Sequence, residues 1–282
     1  MPAGDLLGET PLWCAATHKL WWVDIERPKL QSFDPASGAH EVLPVDGTFL
    51  GSLALTKSDE HIVAIDLALH RLAAVSGTTT KLSQFETGYD NRLNDCRVDG
   101  HGRLWIGSMD NQYVRANGGL YRVDPDGGVT KMLDGIRVSN GIAFSPDNDK
   151  MYFTDTRRFM TWAFDLDIDD GVISNRRLFA DYSASGERPD GACVDVDGCL
   201  WMAFFAGSCV VRYAPDGTID QRIALPVTNP TCLCFGGPDL KTLYITSASK
   251  VLSAEQLQAE PLAGALLAIE GVGQGLPEHR FG

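Results

Sequence analysis

Two carboxylates and two carboxamides, Glu9, Asn94, Asn140 and Asp190, stand at matching points of a repeating pattern. Each opens an apolar run: Gly8-Glu9-Thr10-Pro11-Leu12, Asn94-Asp95-Cys96-Arg97-Val98, Asn140-Gly141-Ile142-Ala143-Phe144 and Asp190-Gly191-Ala192-Cys193-Val194. An isolated Asn-Gly or Asp-Gly is a turn signal. Four oxygen-bearing side chains at equivalent positions instead suit a hard or borderline cation. Two carboxylates confined together strongly favour a divalent ion, because like charges at close range repel.

The elements that must position them recur six times. Leu20-Trp21-Trp22-Val23, Ile62-Val63-Ala64-Ile65, Leu104-Trp105-Ile106-Gly107, Met151-Tyr152-Phe153-Thr154, Leu200-Trp201-Met202-Ala203 and Leu243-Tyr244-Ile245-Thr246 are one apolar, aromatic-rich segment repeated. A turn and another short apolar run precede each, which makes a hairpin, and two further alternating runs follow. Four short antiparallel strands in a unit of about 40 to 50 residues describe a propeller blade. The expected fold is all-β, a six-bladed β-propeller of four antiparallel strands per blade, filling residues 1–282 as one domain. The innermost strands should open near Glu9, Gly51, Asn94, Asn140, Asp190 and Thr231. In such a blade the first strand starts, and the second ends, at the same mouth of the central channel, so these residues project toward one axis.

Composition narrows the partners. The 282 residues carry 37 Asp and Glu against 24 Lys and Arg, a formal net charge of −13, which repels phosphate backbones and anionic lipid. No apolar run reaches the roughly 20 residues of a spanning helix, and no basic-then-apolar leader opens the chain. The expectation is a cytoplasmic protein with neither nucleic-acid nor membrane partners. The seven cysteines, Cys14, Cys96, Cys193, Cys199, Cys209, Cys232 and Cys234, lie inside apolar segments and read as reduced, buried thiols.

With Gly-Glu-Thr-Pro-Leu-Trp at 8–13, Arg92-Leu93-Asn94-Asp95, Ser139-Asn140-Gly141 and Pro189-Asp190-Gly191, the whole chain resembles the SMP-30/gluconolactonase family, which includes sugar lactonases. The resemblance implies one divalent metal, of the set Ca, Zn, Mn, Mg or Fe(II), with Glu9, Asn140 and Asp190 as ligands. It implies Asn94 beside the metal, on a water or the substrate, and Arg92 on substrate hydroxyls. The chain departs from the family where Cys96 replaces the usual Gly, read as a packing variant. Where some relatives carry an acidic substrate contact, this chain has Asp110-Asn111-Gln112, which makes Asp110 and Gln112 the candidates there. Only eight residues precede Glu9, so the outer strand of the last blade is expected to be trimmed, with Gly271 to Gly282 covering that edge.

The expected reaction is hydrolysis of a sugar lactone, a small neutral ester, to the aldonic acid, with metal-activated water attacking the carbonyl. Asp190 is the candidate general base, and Arg92 and Asn94 position the substrate. The alternatives are a metal-dependent phosphotriesterase-like hydrolase and a non-catalytic calcium- or protein-binding propeller, since fold alone does not separate them. Arg157 and Arg158 read first as an exposed arginine pair, with an acidic group on the substrate as the alternative. No Gly-x-Ser-x-Gly occurs, and His18, His61, His101 and His279 fall in expected turns or the tail, which leaves a serine triad unsupported. Asp165 to Gly171 imitates a calcium loop, but the Gly is misplaced and Arg176 replaces the bidentate Glu.

Overall fold

The computed structural model describes every residue except Asp59. The first antiparallel sheet comprises β1 (Gly8–Cys14), β2 (Lys19–Asp24), β3 (Lys29–Phe33) and β4 (His40–Pro44). The second holds β5 (Leu50–Leu55), β6 (Glu60–Ile65), β7 (Ala68–Ala73) and β8 (Thr79–Gln84). The third holds β9 (Asn91–Val98), β10 (Leu104–Asp110), β11 (Gly118–Val123) and β12 (Val129–Ile136). The fourth is β13 (Ser139–Phe144), β14 (Lys150–Asp155), β15 (Met160–Asp167) and β16 (Val172–Asp181). The fifth is β17 (Arg188–Val194), β18 (Leu200–Phe205), β19 (Cys209–Tyr213) and β20 (Ile219–Ala224). The sixth is β21 (Pro230–Gly236), β22 (Thr242–Ser247) and β23 (Leu267–Glu270).

Each innermost strand packs against the next, and β21 returns to β1, so the six sheets close a ring, the expected propeller. Closure leaves no free sheet edge around the axis. The only α-helix among the described residues, α1 (Ala254–Ala259), is one and a half turns, and no helix is long and apolar enough to cross a membrane.

The sixth sheet has three strands, and the first residues take the outer place. Met1 and Leu266 exchange backbone hydrogen bonds of 2.7 and 3.0 Å at the head of β23, and Asp5 N–H donates to the Gly264 carbonyl at 2.9 Å. The C-terminal tail behaves differently from the expectation that it covers this edge. It crosses the far mouth of the channel: Gly275 bonds Leu240, Val196 bonds Gln274, and Phe281 bonds Leu55. The Glu278 carboxylate accepts from the partly buried Arg97 at 2.6 Å and neutralises its charge inside the ring.

All six innermost strands break register at the same level. Bulges fall between Glu9 and Leu12, Leu50 and Leu53, Leu93 and Cys96, Asn140 and Ala143, Pro189 and Ala192, and Pro230 and Leu233. A bulge bends its strand and re-aims side chains. The strands here are too close for a side chain at every position. A Cβ on Gly191 would lie 2.3 Å from Cys232 Sγ, and Gly141 adopts φ +55° with the Thr154 hydroxyl 2.6 Å from where its Cβ would stand. All seven cysteines are free and buried, as expected. Cys96 packs with its thiol 3.3 Å from the Leu53 carbonyl, and burial pushes that thiol up to about 12.

Between blades the core is aromatic and aliphatic. Trp105 and Trp201 are fully buried, and each donates its indole N–H to an aspartate of the preceding turn, Asp99 at 2.9 Å and Asp195 at 2.8 Å. His61 lies inside β6, not in a turn as its polar neighbours suggest, with its ring 4.4 Å from that of Trp21. In the Asp165–Gly171 segment, Asp165 pairs with Arg177 at 2.6 Å and Asp167 caps the hairpin backbone, so the segment is structural. Gly191→Ala should cost about 1 to 3 kcal/mol in urea unfolding, because the added methyl meets Cys232 and the innermost strands have nowhere to retreat. An unchanged midpoint would show that the strands are less tightly packed around the axis than described.

Candidate active site

The repeat places an aspartate near the end of the second strand in four blades. Asp24 accepts from the amides of Leu6 and Leu7 at 3.0 Å each, Asp66 from Phe49 at 2.9 Å, and Asp155 from Arg137 at 3.0 Å and Val138 at 3.1 Å. These carboxylates hold the segments entering β1, β5 and β13 at one height. Glu9 on β1, Arg92 and Asn94 on β9, Asn140 on β13 and Asp190 on β17 reach one mouth of the channel. There they line a cavity of about 220 Å³.

A chain of hydrogen bonds sets the amide orientations. Asn94 Nδ2 donates to Asn140 Oδ1 and to the Ser139 carbonyl, each at 2.8 Å. Asn140 Nδ2 donates to Thr156 Oγ1 at 2.8 Å, and the Thr156 hydroxyl donates to the Pro189 carbonyl at 2.7 Å. The Arg92 guanidinium donates to Asn94 Oδ1 and to the Leu93 carbonyl and lies over the Phe49 ring at 5.7 Å. Arg92 is therefore fixed before any ligand arrives, although it is only 3% exposed.

Asp110 and Gln112 do not join this cavity. Asp110 occupies the same register position as Asp24 and Asp155, opposite the start of its own innermost strand, and its carboxylate accepts from the amides of Val114 and Arg115 at 2.9 Å. Gln112 donates to Asp90 at 3.0 Å on the surface. The expected acidic contact is thus a backbone cap in this chain, a role legible in the recurrence of Asp24, Asp66, Asp110 and Asp155. Met109 and Tyr113 from the same segment line the wall instead.

Residues that the sequence pattern did not single out complete the site. Asp95 lies buried beside Asn94 and accepts from the Ile142 amide at 3.0 Å. Strict strand alternation turns Asp95 away from Asn94's side, but the bulge brings its charge to bear on Glu9 and Asp190. Arg188 and Lys250 line the cavity, beside Thr156 of the loop after β14, where a rim was expected. The Arg157–Arg158 pair splits: Arg157 faces the cavity, whereas Arg158 turns out to the Gly135 carbonyl at 2.7 Å and toward Asp155 at 3.6 Å.

Burial dominates the electrostatics. Loss of water pushes Glu9 up to about 8, with the Asp95 charge adding to the rise and Arg92 opposing it. Burial also pushes Asp95 up to about 6, and raises Asp190 well above the usual carboxylate range, helped by the charges of Glu9 and Asp95. A Glu9 carboxylate oxygen accepts from the Thr10 amide at 3.0 Å. Three buried carboxylates with one buried arginine among them resist ionising together without a further cation. Two carboxylates and an oriented carboxamide oxygen are also ordinary donors to a divalent ion, so the residues present fit one.

A ring of six blades with acidic and amide side chains gathered at one mouth defines a propeller built around a polar channel site. The SMP-30/Gluconolactonase/LRE-like region family matches residues 7–249, and the chain belongs to that family. It is 39% identical to a 6-deoxy-6-sulfogluconolactonase of Pseudomonas putida, over 98% of this chain and 95% of that one. It is 33% identical to a pentonolactonase of Haloferax volcanii, over 97% and 94% of the two chains. The crystal structure of a calcium-binding protein, regucalcin, from Agrobacterium tumefaciens superposes with a TM-score of 0.92 at 32% identity, covering 98% of this chain and 94% of that one.

The raised carboxylates give a pH dependence of definite sign. Glu9 ionises near 4.5 in the unfolded chain and near 8 in the metal-free fold, so between those values the folded state holds more protons and stability falls as pH rises. In chelator, Glu9→Gln should therefore melt a few degrees above the native protein at pH 8, and the two should converge toward pH 5. Divalent cation should raise the native midpoint more at pH 8 than at pH 5, because it binds the ionised carboxylates. Parallel melting curves for the two proteins across this range would refute the carboxylate cluster.

Proposed function

We propose that the chain hydrolyses a sugar lactone to the aldonic acid, using one divalent cation held by Glu9, Asn140 and Asp190 with Asn94 adjacent. The observation that carries the reading is the meeting of Glu9, Arg92, Asn94, Asn140 and Asp190 in one cavity of a propeller of this family. The names of the two lactonase relatives support the reaction class, and the calcium-binding structure supports a cation. Calcium, zinc, manganese, magnesium and iron(II) all accept oxygen donors of this kind.

Bound there, the cation supplies Lewis-acid polarisation of the lactone carbonyl and lowers the pKa of water within its reach. The remaining work falls to the chain. Arg92 and Asn94, already locked to each other, orient the sugar hydroxyls so that the carbonyl carbon meets the carboxylate cluster. Asp190 takes a proton from water as the water oxygen bonds to that carbon. When the ring C–O bond breaks, the proton passes from Asp190 to the departing ring oxygen, so one water is consumed and the carboxylate is restored. Asp190 is a base only when ionised, which burial beside Glu9 and Asp95 opposes and a nearby divalent charge favours. A neutral phosphotriester would be served by an apolar, aromatic wall, and Arg92, Arg157, Arg188 and Lys250 on this one favour a polar substrate.

Asp190→Asn keeps an oxygen donor but no base. Metal content should persist while kcat for lactone opening falls by a factor of about 10² to 10⁴. Arg92→Ala should leave metal content intact and lower kcat/KM by amounts that differ between lactones of different hydroxyl configuration. Lactone hydrolysis unchanged in both variants, measured as proton release after subtracting spontaneous hydrolysis, would overturn the reading.

A further inference from the structure

The cavity wall is cationic in a chain that is strongly acidic overall. The three arginines that line it, Arg92, Arg157 and Arg188, have no carboxylate within ion-pair distance among the described residues, although the chain holds 37 Asp and Glu. Arg92 is held by Asn94. Lys250 is neutralised by Glu26 and donates to the Tyr113 hydroxyl at 2.9 Å. Arg157 and Arg188 remain, from adjacent blades, each with a guanidinium that answers to no charge in the chain.

Their placement is built. Arg157 sits in the short 3-10 turn Thr156–Arg158 that follows β14, where its neighbour Arg158 is tied outward by Gly135 and Asp155. The Arg157 guanidinium lies over the Tyr113 ring at 5.6 Å, and the Lys250 ammonium lies over the same ring at 5.4 Å, so the tyrosine braces Arg157 at the wall. Arg188 opens β17 two residues before Asp190, and the register of that strand with β18 is maintained by Arg188 pairing with Phe205. Strand pairing therefore sets Arg188, exposed at the cavity wall, two residues from the proposed base.

A guanidinium is a planar fork that matches the oxygens of a sulfonate, phosphate or carboxylate, so two of them on one wall offer paired, charge-assisted hydrogen bonds to a single anion. We propose that the substrate is a lactone bearing a second, acidic group, an anionic sulfonate, phosphate or carboxylate, at the end of the sugar remote from the carbonyl, and that Arg157 and Arg188 bind that group. This rests on the lactonase reading: with the carbonyl at the carboxylate cluster and Arg92 on the ring hydroxyls, the remaining polar groups of the wall fall to the substrate's far end.

The test compares the metal-loaded full chain on gluconolactone and on the same lactone carrying a sulfonate, a phosphate or a carboxylate at C6. At least one acidic form should exceed the neutral one in kcat/KM by about tenfold or more, and the best of the three identifies the acid. That acidic-to-neutral ratio should fall at least tenfold in R157Q/R188Q, recover in part in R157K/R188K, and stay as in the native protein in R158Q. Calorimetry with non-hydrolysable cyclic ethers, neutral or bearing the same acid groups, gives a readout independent of catalysis. The acidic ethers should bind at least tenfold more tightly, and that preference should vanish in R157Q/R188Q. Equal handling of neutral and acidic lactones, with a ratio indifferent to both arginines, would overturn the proposal and leave the lactonase reading standing. Acid-selective ether binding without turnover of any lactone would overturn the lactonase reading and keep the anion site. Should the double variant fail to fold, the single variants R157Q and R188Q are each expected to lower the ratio about threefold or more, and no change in either would count against the proposal.

Discussion

Six strands converging on one axis leave too little space for ordinary pleating, and that crowding shapes everything at the channel mouth. At Gly51 an added Cβ would stand 2.3 Å from the Leu93 carbonyl, and at Gly191 the same distance from Cys232 Sγ. Each strand relieves the crowding with a bulge at the same level, and a bulge lets neighbouring residues leave the alternation of a flat strand. The consequence is chemical. Asn94 and Asp95 both contribute to one polar cluster, and Glu9, Asn140 and Asp190 arrive from three other blades at the same height.

Once those side chains share a small volume, electrostatics takes over from packing. Glu9, Asp95 and Asp190 are each buried, the Asp95 charge raises the cost of ionising Glu9, and both raise that of ionising Asp190. Arg92 alone does not balance three carboxylates. The opposite mouth is built differently: there Arg97 meets Glu278 of the C-terminal tail, and the tail covers the channel floor. The two mouths thus differ in kind, one carrying a paired, covered charge and the other a buried carboxylate cluster that opens to a cavity with arginines on its wall. A divalent cation has a reason to enter only at the second.

The ring and its blade count were legible because each repeat carries its own apolar segment, and Glu9, Asn94, Asn140 and Asp190 were legible because they sit at a fixed offset from it. Asp95 was hidden by the bulge, since a period-2 reading assigns it to the wrong face. Asp110 misled for a related reason: a carboxylate at a loop entrance looks free to bind, yet Asp24, Asp66 and Asp155 show that this position of the repeat caps backbone amides. Arg188 and Lys250 gave no signal, because each lies in a loop or strand entry whose spatial neighbours are set by ring closure and not by local sequence. The tail crossing the floor was invisible for the same reason.

Reaction and specificity consequently have separate structural origins. The groups assigned to the reaction start innermost strands, where crowding and capping leave little freedom, so their geometry follows from the propeller itself. The groups that vary the wall come from segments after second strands or from strand entries: Tyr113 beyond β10, Arg157 beyond β14, Arg188 at the head of β17, Lys250 beyond β22. Those segments hold their own backbone through local caps, as Asp110 does for Val114 and Arg115, and a change of side chain there leaves the carboxylate cluster untouched. A propeller of this kind can therefore exchange one lactone for another by altering two or three rim residues while the chemistry at the axis stays as it is.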